Sequence, residues 1–322
     1  MKLSLGLQSI HLPSAGCVAT IGNFDGVHLG HRAVIDRLAE QGRRLKLPVC
    51  VVLFEPQARE YFSPHNAPPR LMRLRDKVDR LADLPVDHVL ILRFNRTLAS
   101  QSPHAFIQRI LIDALNVRYL VVGDDFRFGK QREGSFTLLQ AAGQQAGFEV
   151  TDTPSVLIDG SRVSSTLIRQ ALAIGDLTYA ARLLGKPYEV CGRIIHGQKR
   201  GRTIGFPTAN VLMQRKNTPV KGVFAVTMRG LGAPPLPGVA NVGSRPTVTG
   251  NQTMLLETHL LDFSGDLYGR KVEVEFHSKL RDERRFSDLT ELSTQIAQDI
   301  SEARSYFAHE HTDPSFDYDR RL

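Results

Sequence analysis

The sequence has little cysteine: Cys17, Cys50 and Cys191 are all there is in 322 residues, widely spaced and with no C-x-x-C. That excludes a disulfide-stapled scaffold and a cysteine zinc site, and it reads as reduced thiols in a cytoplasmic protein. Long hydrophobic runs are also missing. The runs at 49–54 and 89–92 fall well short of the ~18 residues that cross a bilayer. Ala15-Gly16-Cys17 has the outline of a lipoprotein cleavage site. However, Ser14 stands where Leu is favoured, and Gln8, Ser9 and His11 interrupt any apolar leader, so Cys17 reads as the start of a strand. Tryptophan is absent, and no block of five or six like charges, no internal repeat and no low-complexity tract occurs. No G-x-G-x-x-G follows the first apolar run, and no G-x-x-x-x-G-K-[S/T] is present anywhere, which excludes a Rossmann dinucleotide site and a Walker-type kinase.

What is present is ordinary for a globular protein: 42% hydrophobic and 23% charged residues. At roughly 150 residues per domain the length predicts two domains. Lys and Arg exceed Asp and Glu by 41 − 33, a net charge of +8. With a pI near 9.6 this permits nucleic acid, an acidic membrane surface or nucleotides as partners.

The first half alternates short β-branched runs, at 18–21, 49–54, 86–92, 117–122 and 148–151, with helical stretches. The runs do not alternate apolar with polar, as expected of strands buried on both faces of a parallel sheet. Ser102-Pro103 and Ser135 are helix starts, and Gly147 is a helix stop. The pattern predicts a doubly wound α/β domain. Two helices at 166–173 and 177–184 follow, joined at Gly175-Asp176, and Gly185-Lys186-Pro187 reads as the boundary. Beyond it lie candidate strands at 189–195, 224–228, 238–242, 254–261 and 272–276, the last alternating strictly as a half-buried antiparallel strand does. A long helix capped by Ser287 then carries Leu289, Leu292, Ile296, Ile300 and Phe307 on one stripe. The expected organisation is an α/β domain over 1–184, a small antiparallel β-barrel with a C-terminal helix over 185–308, and a polar tail over 309–322.

The first chemistry-bearing segment runs from Gly22 through Asn23, Asp25 and Gly26 to His28-Leu29-Gly30-His31, where strand one meets helix one. Ligands of open α/β sheets bind at the carboxyl ends of strands, and a helix N-terminus there attracts phosphate. Two histidines three apart can donate to one phosphate and stabilise charge on a transferring phosphoryl group. The same residues also suit a capped helix start, and Asp25-Gly26 suits a plain turn.

His28-Leu29-Gly30-His31 resembles the HxGH signature of the nucleotidylyltransferase superfamily. Val163-Ser164-Ser165-Thr166-Leu167-Ile168-Arg169 resembles its S-S-T-x-[IV]-R segment, and Gly123-Asp124-Asp125-Phe126-Arg127-Phe128-Gly129 a third. Together they resemble the N-terminal domain of the bacterial bifunctional riboflavin kinase/FAD synthetase family. The resemblance implies that His28 and His31 contact ATP phosphates, and that Ser164, Ser165, Thr166 and Arg169 serve the β- and γ-phosphates. It places Asn23 on the ATP side, and Asp25, Asp124 and Arg127 near the flavin. A helix cap is an equally good local reading of the Ser-Ser-Thr run.

The second segment, Gly197 to Asn210, is basic and glycine-spaced, with Gly197, Gly201 and Gly205. It suits a phosphate-wrapping loop or simply a basic hairpin. Thr208 and Asn210 offer two oxygen-bearing side chains on one face of an extended chain, a donor type suited to Mg²⁺. The run resembles the G-R-x-x-G-F-P-T-A-N signature of riboflavin kinases. Further likeness comes from Lys221 to Ala225, where Phe224 replaces a frequent Tyr, from Asn241 to Thr247, and from Leu256-Glu257-Thr258-His259-Leu260-Leu261-Asp262.

The resemblance spans roughly 15–308. It implies that Glu257 is the base for the ribityl hydroxyl, that Thr208 and Asn210 hold Mg²⁺ and ATP, and that Arg281 contacts flavin, with His259 structural. It implies a bifunctional enzyme that converts riboflavin to FMN and then FAD, with ATP as co-substrate, ADP and pyrophosphate as products, and no nucleic-acid or membrane partner. A single-activity enzyme is disfavoured by the intact residues of both segments. A nucleic-acid-binding protein is disfavoured by the lack of a lysine-rich synthetase loop and of a clustered basic stripe.

Overall fold

The structure is a computed structural model. It describes all residues except 124, 154, 198–204, 216, 233, 247–251 and 311–322. Two compact units are present, one made of Met1–Pro68 and Met72–Val163, the other of Pro69–Leu71 and Ser164–Leu322.

The first unit is built on six parallel strands: β1 (Lys2–Leu5), β2 (Cys17–Ile21), β3 (Val49–Glu55), β4 (His88–Arg93), β5 (Val117–Val122) and β6 (Glu149–Asp152). Their order is β1-β4-β3-β2-β5-β6. Its helices are α1 (Leu29–Leu45), α2 (Ala58–Phe62), α3 (Leu74–Ala82), α4 (Arg96–Ala99), α5 (Pro103–Phe106), continued by a wider π-type turn over Ile107–Ala114, and α6 (Phe136–Ala146). A two-strand hairpin, β7 (Leu157–Ile158) and β8 (Ser161–Arg162), follows.

The central strands carry unbroken apolar runs because both faces are covered. On one face Ala19, Val52 and Leu120 pack with Phe106, Ile110, Leu111 and Leu139. On the other, Val18, Val51 and Val121 pack with Ile35, Leu38 and Leu81. β2 pairs with β3 on one side and β5 on the other. The strand order reverses there, and in open α/β sheets such a switch point at the carboxyl end of a strand, here β2 directly before α1, is where ligands bind.

The second unit opens with α7 (Ser165–Ile174) and α8 (Leu177–Leu184). A closed barrel follows, of β9 (Tyr188–Ile195), β10 (Ala209–Leu212), β11 (Gly222–Arg229), β12 (Leu236–Pro246), β13 (Gln252–Leu260) and β14 (Lys271–Arg281), in the order β10-β13-β12-β11-β14-β9. All its pairings are antiparallel. Val211, Phe224, Ala240, Val242, Leu256 and Val274 are fully buried. The last helix, α9 (Leu289–Glu310), lays Ala303, Ile300, Tyr306 and Phe307 against Val223, Ala225 and Val239.

The α/β-plus-barrel architecture matches the reading of the sequence, with differences in detail. The compact units divide after Val163 where the sequence suggested 184, and α7 and α8 belong with the barrel, α8 packing on β9 and β14. Ser287 is not the cap of α9. The Asp288 side chain accepts the Glu291 N–H at 2.9 Å, while Ser287 donates its own N–H to the Glu291 carboxylate. Asp is as good a cap as Ser, so the register slipped by one residue.

Candidate active sites

In the first unit the loop between β2 and α1 has an unusual backbone. Phe24 and Val27 both have positive φ, 47° and 43°, beside Gly26 at 92°. For non-glycine residues such conformations cost about 1–3 kcal/mol each and persist only where surrounding contacts hold them. Two contacts do so. Asp25 is buried, and its Oδ1 accepts the Met72 N–H at 3.2 Å. Lys77 Nζ donates to the Asn23 carbonyl at 2.5 Å.

The loop delivers His28 as the N-cap of α1, its Nδ1 accepting the His31 N–H at 3.4 Å. In the neutral ring this leaves the proton on Nε2, a donor. The two imidazoles stack with centroids 3.6 Å apart, and Phe24 lies 4.6 Å from His31. Gly30 makes the stack possible, since a Cβ there would stand 3.2 Å from the His28 ring. Burial holds His31 well below its ordinary pKa, helped by His28 and Lys77, so the ring is neutral near pH 7. His31 Nδ1 is buried without a hydrogen-bond partner among the described residues. His28 therefore caps the helix through Nδ1, and the cap leaves Nε2 unused.

Two features of this unit were not read from the sequence. Lys77 is one: it is 1% exposed, on the inner stripe of α3 with Leu74, Val78 and Leu81. A lysine at that spacing on an apolar stripe is a visible signal. The other is an aromatic cluster past the carboxyl ends of β3 and β4. Phe94 meets Phe54, Tyr61 and Phe62 edge-on at 5.8, 5.4 and 5.6 Å. Phe62 remains 64% exposed. Among the third-segment residues, Asp124 lies outside the described residues. Arg127 is exposed and bonds the Phe126 carbonyl, and Phe126 stacks on Phe128.

In the second unit Ser164 is the N-cap of α7, its Oγ accepting the Leu167 N–H at 3.2 Å. Ser165 and Thr166 form the first turn, and Arg169 Nε donates to the Pro69 carbonyl at 2.6 Å.

On the barrel, Asn210 pairs directly with Glu257, and Glu257 with Asn241, across three adjacent strands. Side chains at paired positions share one face, about 5 Å apart at Cβ. The inward positions alternate with them: Val211, Leu256, Thr258 and Ala240 are sealed in the barrel. Asn210 is 6% exposed, and its Oδ1 is buried without a hydrogen-bond partner among the described residues. Its Nδ2 donates to the Thr208 carbonyl at 3.4 Å. Gly197 rests on this amide, and a Cβ there would come within 2.6 Å of Asn210 Cγ. His259 bonds the Pro207 carbonyl through Nδ1 at 2.8 Å, fixing the approach to β10. Gly201 lies outside the described residues, and Gly205 turns the chain into Phe206 with φ 86°.

Arg281, at the end of β14, is bound by α9. Its Nε and Nη2 make paired 2.8 Å bonds to Asp299, which is 2% exposed and also receives Gln295. The guanidinium thus ties β14 to α9.

A family model described as FAD synthetase matches residues 11–167, and one described as riboflavin kinase matches 184–307. The bifunctional riboflavin kinase/FMN adenylyltransferase of Escherichia coli (strain K12) is 53% identical over 308 residues, covering 95% of this chain and 98% of its own. The protein so described in Haemophilus influenzae is 50% identical over 307 residues, covering 95% and 99%. A solved structure described as a macrolide-efflux protein from Streptococcus pneumoniae superposes with a TM-score of 0.78 at 27% identity, over 94% of this chain and 98% of that one. No helix among the described residues is long and apolar enough to cross a membrane.

Proposed function

This chain belongs to the family of bifunctional riboflavin kinase/FMN adenylyltransferases, and from that premise we propose how its residues divide the work. It phosphorylates riboflavin to FMN with one ATP, then adenylylates FMN with a second ATP to give FAD and pyrophosphate. The adenylyltransferase function is assigned to 1–184, the kinase function to 185–308, and none to the tail over 309–322.

In the kinase reaction the ribityl 5′-oxygen attacks the γ-phosphorus, its proton passes to Glu257, and ADP leaves. The observation that carries this reading is the row Asn210, Glu257, Asn241 on adjacent strands. It sets a carboxylate beside an amide oxygen that has no hydrogen-bond donor among the described residues. That orphaned oxygen fits a hard cation, so Asn210 and Thr208 are the residues that would hold Mg²⁺. The ion would neutralise phosphate charge when bound. The glycines at 197, 201 and 205 allow the chain to run close to the triphosphate.

In the adenylyl transfer an FMN phosphate oxygen attacks the α-phosphorus of ATP and pyrophosphate leaves. His28 donates from Nε2 to the phosphate that gains charge, and His31 stacks behind it. Ser164, Ser165, Thr166 and Arg169 serve the β- and γ-phosphates through the start of α7, and Asn23 borders the nucleotide. Asp25 and Asp124 belong to the flavin side with Arg127. The exposed ring of Phe62, backed by Phe94, offers an apolar face that suits isoalloxazine. We assign the protein to the cytoplasm, where its nucleotide substrates are held.

Incubation with riboflavin, ATP and Mg²⁺, followed by chromatography, tests the reading. FMN should appear first and FAD second, with one ADP and one pyrophosphate released per FAD. Failure to form either flavin nucleotide would overturn it.

A further inference from the structure

We propose that Lys77 is a positioning residue for adenylyl transfer: anchored on the Asn23 carbonyl, its ammonium holds the β2–α1 loop in the conformation that presents the His28–His31 pair to the phosphates of ATP. The inference rests on the reading of the first unit as the adenylyltransferase.

α3 carries an apolar stripe. Leu74, Val78 and Leu81 turn inward, and position 77 lies on the same stripe, where an aliphatic residue would pack without penalty. The chain instead buries a lysine there to 1% exposure. Removing an ammonium from water is unfavourable, and such a group is expected only where it makes specific interactions. Lys77 makes one at 2.5 Å with the carbonyl of Asn23, one residue before the left-handed Phe24.

Asp25, one residue further on, accepts the Met72 N–H, two residues before α3 begins. The strained loop is therefore fastened twice to the α3 region, once by a backbone N–H and once by a buried cation. Fastening at Asn23 and Asp25 fixes the entry into α1, and with it the cap geometry of His28 and the stack on His31. The same cation contributes to keeping His31 neutral, though less than burial and His28 do.

Lys77→Met in the full-length protein keeps the buried stem and removes both donor and charge. The FMN-to-FAD step should lose at least about tenfold in kcat and in kcat/KM alike, with KM for ATP changed less than about threefold. Riboflavin phosphorylation by the same molecules should stay within about twofold. The acid limb of the adenylylation pH profile should move to higher pH, because a cation that depresses the His31 pKa is gone. Lys77→Gln restores a donor for Asn23 without charge. It should recover part of the lost kcat while sharing the displaced acid limb.

Adenylylation within about threefold of wild type with an unmoved acid limb would overturn the proposal. So would parallel loss of both activities and of melting temperature in both variants, since Lys77 would then be a core residue only. If the wild-type protein itself fails to convert FMN to FAD, it is the assignment of the first unit that falls.

Discussion

Asn210 and Glu257 stand directly opposite each other across β10 and β13. This pairing brings together two residues that are 47 positions apart in the chain and sets Glu257 opposite an amide whose oxygen is buried without a hydrogen-bond partner among the described residues. The proposed kinase step uses that juxtaposition, with Glu257 as base beside the amide that would hold the metal.

Glu257→Gln keeps the size and one acceptor oxygen but cannot take a proton. Riboflavin phosphorylation should fall by ~10²–10⁴-fold, while the FMN-to-FAD step proceeds normally. Initial rates with each flavin measure the two separately.

Gly197→Ala should act through Asn210. The added Cβ would fall on the Asn210 amide and push it aside. KM for Mg·ATP in the kinase reaction should rise on the order of tenfold or more, since small misplacements of a liganding group are costly. Asn210→Ala should give a similar rise. Titration of Mg·ATP against initial rate distinguishes this from the turnover defect of Glu257→Gln.

The cap that His28 supplies and the donor role proposed for it can be separated by substitution. His28→Ala loses the cap of α1, worth about 1 kcal/mol, and also the donor, worth ~10²–10³-fold in adenylylation. His28→Asn supplies a good cap without an imidazole donor. It should recover the melting temperature and leave adenylylation slow.

Arg281→Ala leaves Asp299 buried at 2% exposure without its guanidinium. Breaking a buried pair by deleting one partner costs about 3–5 kcal/mol, read as a large fall in unfolding free energy in denaturant. A loss of flavin affinity with unchanged stability would instead return Arg281 to the flavin site.

Glu275 is paired with Glu189 across β14 and β9 and lies 3.2 Å from Arg229. Burial raises its pKa above the ordinary 4.5, Arg229 and the Thr227 hydroxyl oppose the shift, and Glu189 adds to it. The folded state therefore binds its proton more tightly than the unfolded state. The stabilisation is complete below pH 4.5 and is lost as pH rises through the folded value. Glu275→Gln should melt higher than wild type at pH 7.5, with the difference shrinking toward pH 4. A variant that melts lower at pH 7.5 would contradict this.

Much of this was legible in the sequence because its physics is local. The four inner strands of the sheet showed as apolar runs because both faces are covered. Ser102 and Ser135 cap helices where their spacing predicted, and within the Ser-Ser-Thr run the cap is Ser164, one residue earlier than a helix starting at 166 requires. β1 was missed because it is an edge strand with Leu3 and Leu5 exposed, and its four residues carry no buried run. β10 was missed because Ala209–Leu212 is short and was absorbed into the motif before it. β12 and β14 extend well past their apolar centres because a closed barrel pairs strand ends whatever their polarity. The neighbours of Asp25 and Arg281 could not be read at all. Met72 lies 47 positions from Asp25, and Asp299 is on another element from Arg281. Only the fold brings such partners together.

The most direct test of two separable sites in one chain is a feeding experiment with Glu257→Gln and His28→Ala proteins, each given ATP and Mg²⁺ with either riboflavin or FMN. The Glu257→Gln protein should leave riboflavin unchanged yet turn FMN into FAD. The His28→Ala protein should turn riboflavin into FMN and stop there. If either substitution abolished both conversions in a protein that is still fully folded at the assay temperature, the two reactions would share one site, and the division of labour argued from these residues would be wrong.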